Sequence, residues 1–301
     1  MPEPSFAAAD WGTSSFRLWL LSAEGAALAE RRGAEGMSTL KPDAFDGVLE
    51  AHLAALGAAP DLPVVICGMA GAAQGWRPAP YIDLPAALDA LETHAVPAPS
   101  ASGRDVRILP GLAERREGRE DVMRGEETIL LGARARGVDG LVCMPGTHSK
   151  WVRIEGGAVA AFSTAMTGEV FALLRRHSTL SHFLGGEAED EAAFAEAAEA
   201  ALTRPEALLN HLFTVRARPL LSPGEAASMP SRLSGLLIGT EIAAMRGQAA
   251  AGLTLISGGA LARRYARALE IAGLPHHQIE SDELVRAGLH QAGRRLWPQG
   301  T

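Results

Sequence analysis

The chain predicts a mixed α/β protein of two similar lobes, and three observations lead there. A strand running into a glycine turn and out again occurs near the start and recurs halfway along. Buried strand runs and helix-period stretches follow each recurrence. The length of 301 residues suits two lobes of about 150 residues each.

The first strand reads from Phe6 to Ala9 and enters the turn Asp10-Trp11-Gly12. Phe16-Arg17-Leu18-Trp19-Leu20-Leu21 leads away from it and ends near Gly25. Val64 to Cys67 is an apolar run of strand length, Arg107 to Pro110 reads as another strand, and 126–136 has helical spacing at Ile129, Leu130 and Ala133. Glycines 137 to 140 mark the expected boundary, dividing the chain into 1–137 and 138–301.

The second half repeats the opening. Gly140 to Met144 meets Pro145-Gly146-Thr147, and Lys150-Trp151-Val152-Arg153-Ile154 runs out to Gly156-Gly157. The separation is too long for a solenoid repeat and right for a duplicated fold. Stretch 187–202 is rich in alanine and acid, and its acidic part is expected to be a solvated helix face. Helical spacing covers 232–245 and 260–271, with the strand Leu253 to Ile256 meeting Ser257-Gly258-Gly259 between them. Segments 97–104 and 115–119, rich in Pro, Ser, Gly or charge, read as solvated loops.

Composition narrows the function. Hydrophobic residues make up 47% and charged residues 21%, enough apolar matter for two cores. A net charge of -7 opposes capture of a phosphate backbone, so nucleic acid is not an expected partner. Cys67 and Cys143 lie far apart in apolar runs and read as reduced core residues. With no CxxC, HExxH or HxxxH spacing, no structural zinc is expected. The first residues lack a signal-peptide pattern and no apolar run approaches about 18 residues, so a cytoplasmic location and no membrane partner are expected. The oligomeric state stays open, a homodimer included.

The chemistry gathers at three turns. In Asp10-Trp11-Gly12-Thr13-Ser14-Ser15-Phe16-Arg17, Gly12 permits close backbone approach. Thr13, Ser14 and Ser15 offer hydroxyls and N–H groups to phosphate oxygens, and Asp10 can hold Mg²⁺. A glycine turn with Asp10 as its cap explains the same residues equally well. Gly146-Thr147-His148-Ser149-Lys150 is the second such turn, and its place in the other half makes the pair more specific than either alone. Lys150 would add a point charge for a transferring phosphate. His148 is divided between a ligand contact and an ordinary hydrogen bond. Gly258 and Gly259, where a strand opens into a helix, suit an adenosine lying against bare backbone.

The order of these turns resembles the sugar kinase, hexokinase and actin superfamily. That resemblance implies two ribonuclease-H-like lobes, an actin-like ATPase fold with a cleft between them that closes over ATP and substrate. Along nearly its whole length the chain is similar to the 2-dehydro-3-deoxygalactonokinase family. The match is carried by 10–14, Gly68-Met69-Ala70-Gly71, Gly75-Trp76, Met123-Arg124-Gly125-Glu126-Glu127-Thr128, 144–151, 166–169 and 234–239. Many superfamily members carry Gly-Thr-Gly at the second turn, where this chain has Gly146-Thr147-His148, and the narrower family carries the histidine.

This resemblance implies transfer of the ATP γ-phosphate, with Mg²⁺, to the 6-hydroxyl of 2-dehydro-3-deoxy-D-galactonate. It places the catalytic carboxylate at the start of the helix before the second turn. Glu126, which follows Gly125, is the first choice for the base and Glu127 the second; a helix dipole served by both acids is the alternative. Arg124, Arg77 and the loop holding Gly68, Met69 and Gly71 are candidates for the sugar acid, while Trp76 either walls the sugar pocket or fills core. The rival functions are a kinase of another small sugar or sugar acid and a non-enzymatic sugar sensor. The sensor lacks the DNA-binding helix pair or zinc site it should bring.

Overall fold

A computed structural model describes residues 3–186 and 189–298. In chain order the elements are β1 (Phe6–Trp11), β2 (Phe16–Leu21), β3 (Ala27–Gly33), α1 (Phe45–Ala55), β4 (Val64–Gly68), β5 (Tyr81–Asp83), β6 (Ala86–Ala87), β7 (Val96–Pro97), β8 (Val106–Ile108), β9 (Gly111–Glu114), β10 (Asp121–Met123) and α2 (Glu126–Arg134). They continue as β11 (Gly140–Met144), β12 (Ser149–Glu155), β13 (Ala158–Ala165), α3 (Thr167–His177), α4 (Glu191–Thr203), α5 (Leu208–Leu221), α6 (Met229–Ala249), β14 (Leu253–Ile256), α7 (Gly259–Ile271), β15 (His276–Ile279) and α8 (Ser281–Leu296). The expected solvated face over 187–202 begins on Glu187 and Ala188, which lie outside the described residues; α4 carries the remainder.

The chain forms two compact units. Unit one holds 1–139, 154–161 and 281–301, and unit two holds 140–153 and 162–280. Against the expected division at 137/138, the break near 139 is two residues later, whereas α8 groups with the first unit. The reason is backbone contact between α8 and α2. A Cβ on Gly288 would lie 1.9 Å from the Thr128 carbonyl oxygen, and one on Gly132 would lie 2.0 Å from that of Leu284. Only glycine lets two helix backbones approach so closely.

In unit one the main sheet runs β3-β2-β1-β4-β8-β7, with β1 antiparallel to β2 and parallel to β4. A second, three-stranded sheet runs β10-β9-β5. Alternation along β1 and β2 buries Trp11, Phe16 and Leu18 with Phe45 and Leu49 from α1. Each such side chain contributes about 1.5–3 kcal/mol on burial. The edge strand β3 is mostly exposed and carries Glu30, Arg31 and Arg32, charges that discourage edge-to-edge pairing.

In unit two the sheet reads β15-β14-β11-β12-β13, with β11 parallel to β14 and β14 parallel to β15. Five of the six strands in unit one's main sheet follow the same plan: β3-β2-β1-β4-β8 and β13-β12-β11-β14-β15 are both a 3-2-1-4-5 order when each set is numbered along the chain. The recurrence in sequence is therefore a recurrence in topology. Helix α6, buried along most of its length, packs on α4 and fills unit two's core with Leu233, Leu236, Ile238 and Ile242. No helix among the described residues is long and apolar enough to cross a membrane.

Candidate active site

In parallel α/β sheets, ligands gather beyond the carboxyl ends of the strands. Register places Asp10 beside Cys67 and Trp11 beside Gly68, so the first turn and the 68–76 segment leave the sheet together. Gly12 N–H donates to Ser15 O at 2.9 Å, closing the turn and leaving Thr13, Ser14 and Ser15 exposed. The turn is held from outside, since Met37 N–H and Ser38 N–H donate to the carbonyls of Gly12 and Thr13 at 3.0 and 2.9 Å. Gly36 makes that docking feasible, because a Cβ there would lie 2.4 Å from Ser14 Cα.

Asp10 is partly exposed. Its Oδ2 accepts from Arg17 Nη2 at 2.9 Å, and its Oδ1 lies 3.8 Å from Cys67 Sγ. Arg17 also pairs with Asp282 at 2.8 Å. The hairpin register, which sets Asp10 opposite Arg17, produces the first pair.

Gly68 joins this turn to α2. A Cβ on Gly68 would lie 2.6 Å from the Trp11 carbonyl oxygen and 3.6 Å from Asp10 Oδ1, while one on Gly125 would lie 3.4 Å from Gly68 Cα. Asp10, Gly68 and the start of α2 are thus contiguous. Gly125 caps that helix at φ +106°, a backbone region natural only to glycine. The two acids that follow differ. Glu126 is partly exposed and accepts the Arg124 N–H at 3.0 Å. Glu127 is fully buried and accepts from Gly125 N–H at 2.7 Å and the Thr128 hydroxyl at 2.9 Å. Burial, followed by the nearby Glu126 charge, raises the Glu127 carboxyl from the ordinary 4.5 to about 7.

Arg124 completes the first unit's site. Its guanidinium lies over the Tyr81 ring at 4.3 Å, Nη2 donates to Ala79 O at 2.8 Å, and the arginine packs against Gly71. Nε and Nη1 are buried without a protein partner. Such N–H groups cost free energy unless a ligand takes them.

In unit two the turn after β11 docks on the start of α3. Glu169 N–H donates to Thr147 O at 2.9 Å, and His148 Nε2 lies 2.5 Å from Glu169 Oε2. A Cβ on Gly168 would lie 2.4 Å from the Gly146 carbonyl oxygen. Behind the turn, Glu241 of α6 accepts from Trp151 Nε1 at 2.8 Å, Tyr265 OH at 2.6 Å and the Thr167 hydroxyl. Burial raises this carboxyl, and the hydrogen bonds from Thr167, Tyr265 and Trp151 oppose the rise. Beside it opens a small hollow of about 80 Å³, partly open to solvent, bounded by Gly146, Thr167, Phe171, Leu237, Ile238 and Arg264. Its walls are mostly apolar with a few polar groups, the lining chemistry of small-ligand sites.

The model of the 2-keto-3-deoxy-galactonokinase family matches residues 10–292, and thereby spans every element just described. The chain belongs to that family of carbohydrate kinases. A relative in Rhizobium meliloti (strain 1021), named as a probable 2-dehydro-3-deoxygalactonokinase, is 50% identical over 300 residues, 97% of this chain and 98% of its own. The 2-dehydro-3-deoxygalactonokinase of Escherichia coli (strain K12) is 35% identical over 286 residues, covering 94% and 96%. A crystal structure of a 2-dehydro-3-deoxygalactonokinase-family protein from Sinorhizobium meliloti superposes with a TM-score of 0.93 at 50% identity over 98% of each chain. The activator of 2-hydroxyisocaproyl-CoA dehydratase from Clostridium difficile, with ADPNP bound, shares the fold: TM-score 0.51, 12% identity, 97% and 94% covered. The fold is the α/β, actin-like ATPase class expected from the turns.

Within this member of the 2-keto-3-deoxy-galactonokinase family, the structure brings Asp10, Gly12, Arg17, Gly68, Glu126 and Glu127 together in unit one. Arg124 stands beside Gly71, and Met69 is partly exposed between Gly68 and the buried Gly71. Trp76 fills core, 7% exposed, against Trp11 and Phe45 rather than walling a pocket. Lys150 is 4% exposed on β12, one residue beyond the strand's start at Ser149. His148 spends its Nε2 contact on Glu169. Gly258 caps α7 and Gly259 follows at φ +63° with open space beside it, a bare helix start. Gly168 belongs to the segment 166–169 that carries the resemblance, but its contact with Gly146 was not legible there. Gly36, Tyr81 and Glu241 act through distant partners that leave no local pattern in the sequence.

Proposed function

We propose that this chain transfers the γ-phosphate of ATP to the 6-hydroxyl of 2-dehydro-3-deoxygalactonate, a reaction that, with ATP as donor, belongs in the cytoplasm. The carrying observation is the contiguity of Asp10, Gly68 and the acids opening α2, beside an arginine with two unpartnered nitrogens. This supplies a phosphate turn, a proton acceptor and an anion contact within one unit.

The exposed Thr13, Ser14 and Ser15 offer hydroxyls and N–H groups to phosphate oxygens. Magnesium takes one or two protein carboxylates and fills its shell with phosphate and water, which a single partly exposed Asp10 at a strand end fits. Bound there, the ion would neutralise phosphate charge. Because phosphoryl transfer has a loose transition state, positioning and charge matter more than base strength. Glu126 is the acceptor's proton partner: it is partly exposed at the helix start, whereas Glu127 is fully buried. Glu127 orders the Gly125 turn from beneath. Arg124 takes the substrate carboxylate through Nε or Nη1 and is held in place by Tyr81.

In unit two, Gly146 and Thr147 receive phosphate oxygens, and the hollow bounded by Leu237 and Ile238 takes the adenine, with Gly258 and Gly259 near the ribose. Lys150 is left outside these contacts. The test is ADP release by purified protein with ATP and 2-dehydro-3-deoxygalactonate, beside its gluconate epimer. Preference for the galactonate form is expected; ATP consumption indifferent to either acceptor removes the proposal.

A further inference from the structure

We propose that Glu241 is a positioning residue for nucleotide binding in unit two, tying the second turn, the start of α3 and α7 into one ligand-ready arrangement. This deepens the reading above and rests on its assignment of Gly146 and Thr147 to ATP.

Glu241 lies on α6, 6% exposed, and is not among the residues that line the hollow. It acts through those that are. Thr167 and Tyr265 donate to its Oε2, and both face the hollow alongside Gly146. Trp151 donates to Oε1 at 2.8 Å from β12, the strand that leaves the second turn. Ser149, the first residue of that strand, sits 2.8 Å from the Tyr265 oxygen. Thr167 is followed by Gly168, whose backbone abuts Gly146, and by Glu169, which holds Thr147 O and His148. Every element facing the hollow therefore meets this one carboxylate, directly or through one neighbour.

A wholly apolar cluster in this space would avoid the desolvation cost of a buried acid. Here the acid comes with three donors, Trp151, Thr167 and Tyr265, two of them on the wall of the hollow. An ionised carboxylate accepts hydrogen bonds at both oxygens and donates none. It orients several donors at once, which neither an apolar nor an amide side chain does. A glutamine turns an NH₂ group toward donors at one position and leaves a buried mismatch.

The experiment compares Glu241→Gln, Thr167→Val and Thr167→Ser with the wild type, measuring KM for ATP and for the sugar acid, and ADP affinity by calorimetry. Loss of this support is expected to raise the ATP KM and the ADP Kd about tenfold in Glu241→Gln and Thr167→Val. The acceptor KM should stay within about twofold, and Thr167→Ser, which keeps the hydroxyl, should bind as wild type. A core variant in a different hydrophobic cluster, Val215→Ala, should lose melting temperature without that split. Folded Glu241→Gln and Thr167→Val proteins with wild-type ATP KM, or with both KM values rising together, overturn the role. If Glu241→Gln does not fold, Thr167→Val decides. Wild-type protein that neither binds ADP nor consumes ATP removes the functional reading itself, whereas active wild type with unaffected variants removes only the role of Glu241.

Discussion

Replacing Glu127 by glutamine should abolish a pH dependence of stability in unit one. The carboxyl is fully buried and titrates at about 7 when folded, against 4.5 ordinarily. Between those values the folded chain keeps a proton that the unfolded chain has released, so stability falls as pH rises through the window and levels off above it. The difference of about 2.5 units corresponds to about 3 kcal/mol in total, of which about 2.5 kcal/mol falls between pH 5 and pH 8. Glutamine keeps the volume and an acceptor for the Gly125 N–H but binds no proton there. Urea unfolding followed by tryptophan emission reports mainly on unit one, which holds four of the chain's five tryptophans, all but Trp151. Wild type should lose about 2.5 kcal/mol relative to the variant from pH 5 to pH 8. A wild-type-minus-variant difference that stays flat would refute the claim that burial governs this carboxyl.

Glu126→Gln should lower kcat by about 10²–10⁴ with little change in either KM, because it removes the proton acceptor and no binding contact; steady-state kinetics on folded protein decides, and wild-type turnover speaks against Glu126 as base. Arg124→Met should raise the acceptor KM about 10–100-fold while ATP KM holds, the loss expected for a charged hydrogen bond; equal KM values for wild type and variant would place the substrate carboxylate elsewhere. Gly168→Ala puts a Cβ 2.4 Å from the Gly146 carbonyl, so it should raise ATP KM and cost about 1–3 kcal/mol; calorimetric melting and ATP titration check both. Gly36→Ala should act likewise on the first turn, where its Cβ would meet Ser14 backbone, and unchanged ATP KM there would deny that turn a phosphate role.

Much of the sheet and both turns were legible in the residues. Leu253 to Ile256 forms β14 with the bounds read from its apolar run, and the turns holding Gly12 and Gly146 follow β1 and β11 at equivalent places in their sheets, because alternation and glycine punctuation are local signals. Helix α5 was missed: apolar residues occupy more than one face and Pro219 stands inside it, so neither periodicity nor helix continuity is clean. Trp76 and Lys150 show a different limit. Their types suit a pocket wall and a phosphate contact, yet a side chain's burial is set by partners far along the chain, and these two are only 7% and 4% exposed. Glu127 and Glu126 are neighbours with one residue type, and only the burial of one separates their chemistry. Glu241 looked like any acid in an apolar helix until Trp151, Thr167 and Tyr265 converged on it.

The seam where α8 lies backbone to backbone on α2 bears on how the molecule is born. The helix that carries Glu126 needs a companion made some 150 residues later, so a nascent chain still on the ribosome holds an unfinished catalytic half while most of unit two is already out of the tunnel. Unit one can therefore reach its packed form only once α8 has been made and laid against α2, so the order of synthesis and the order of assembly part company in this fold.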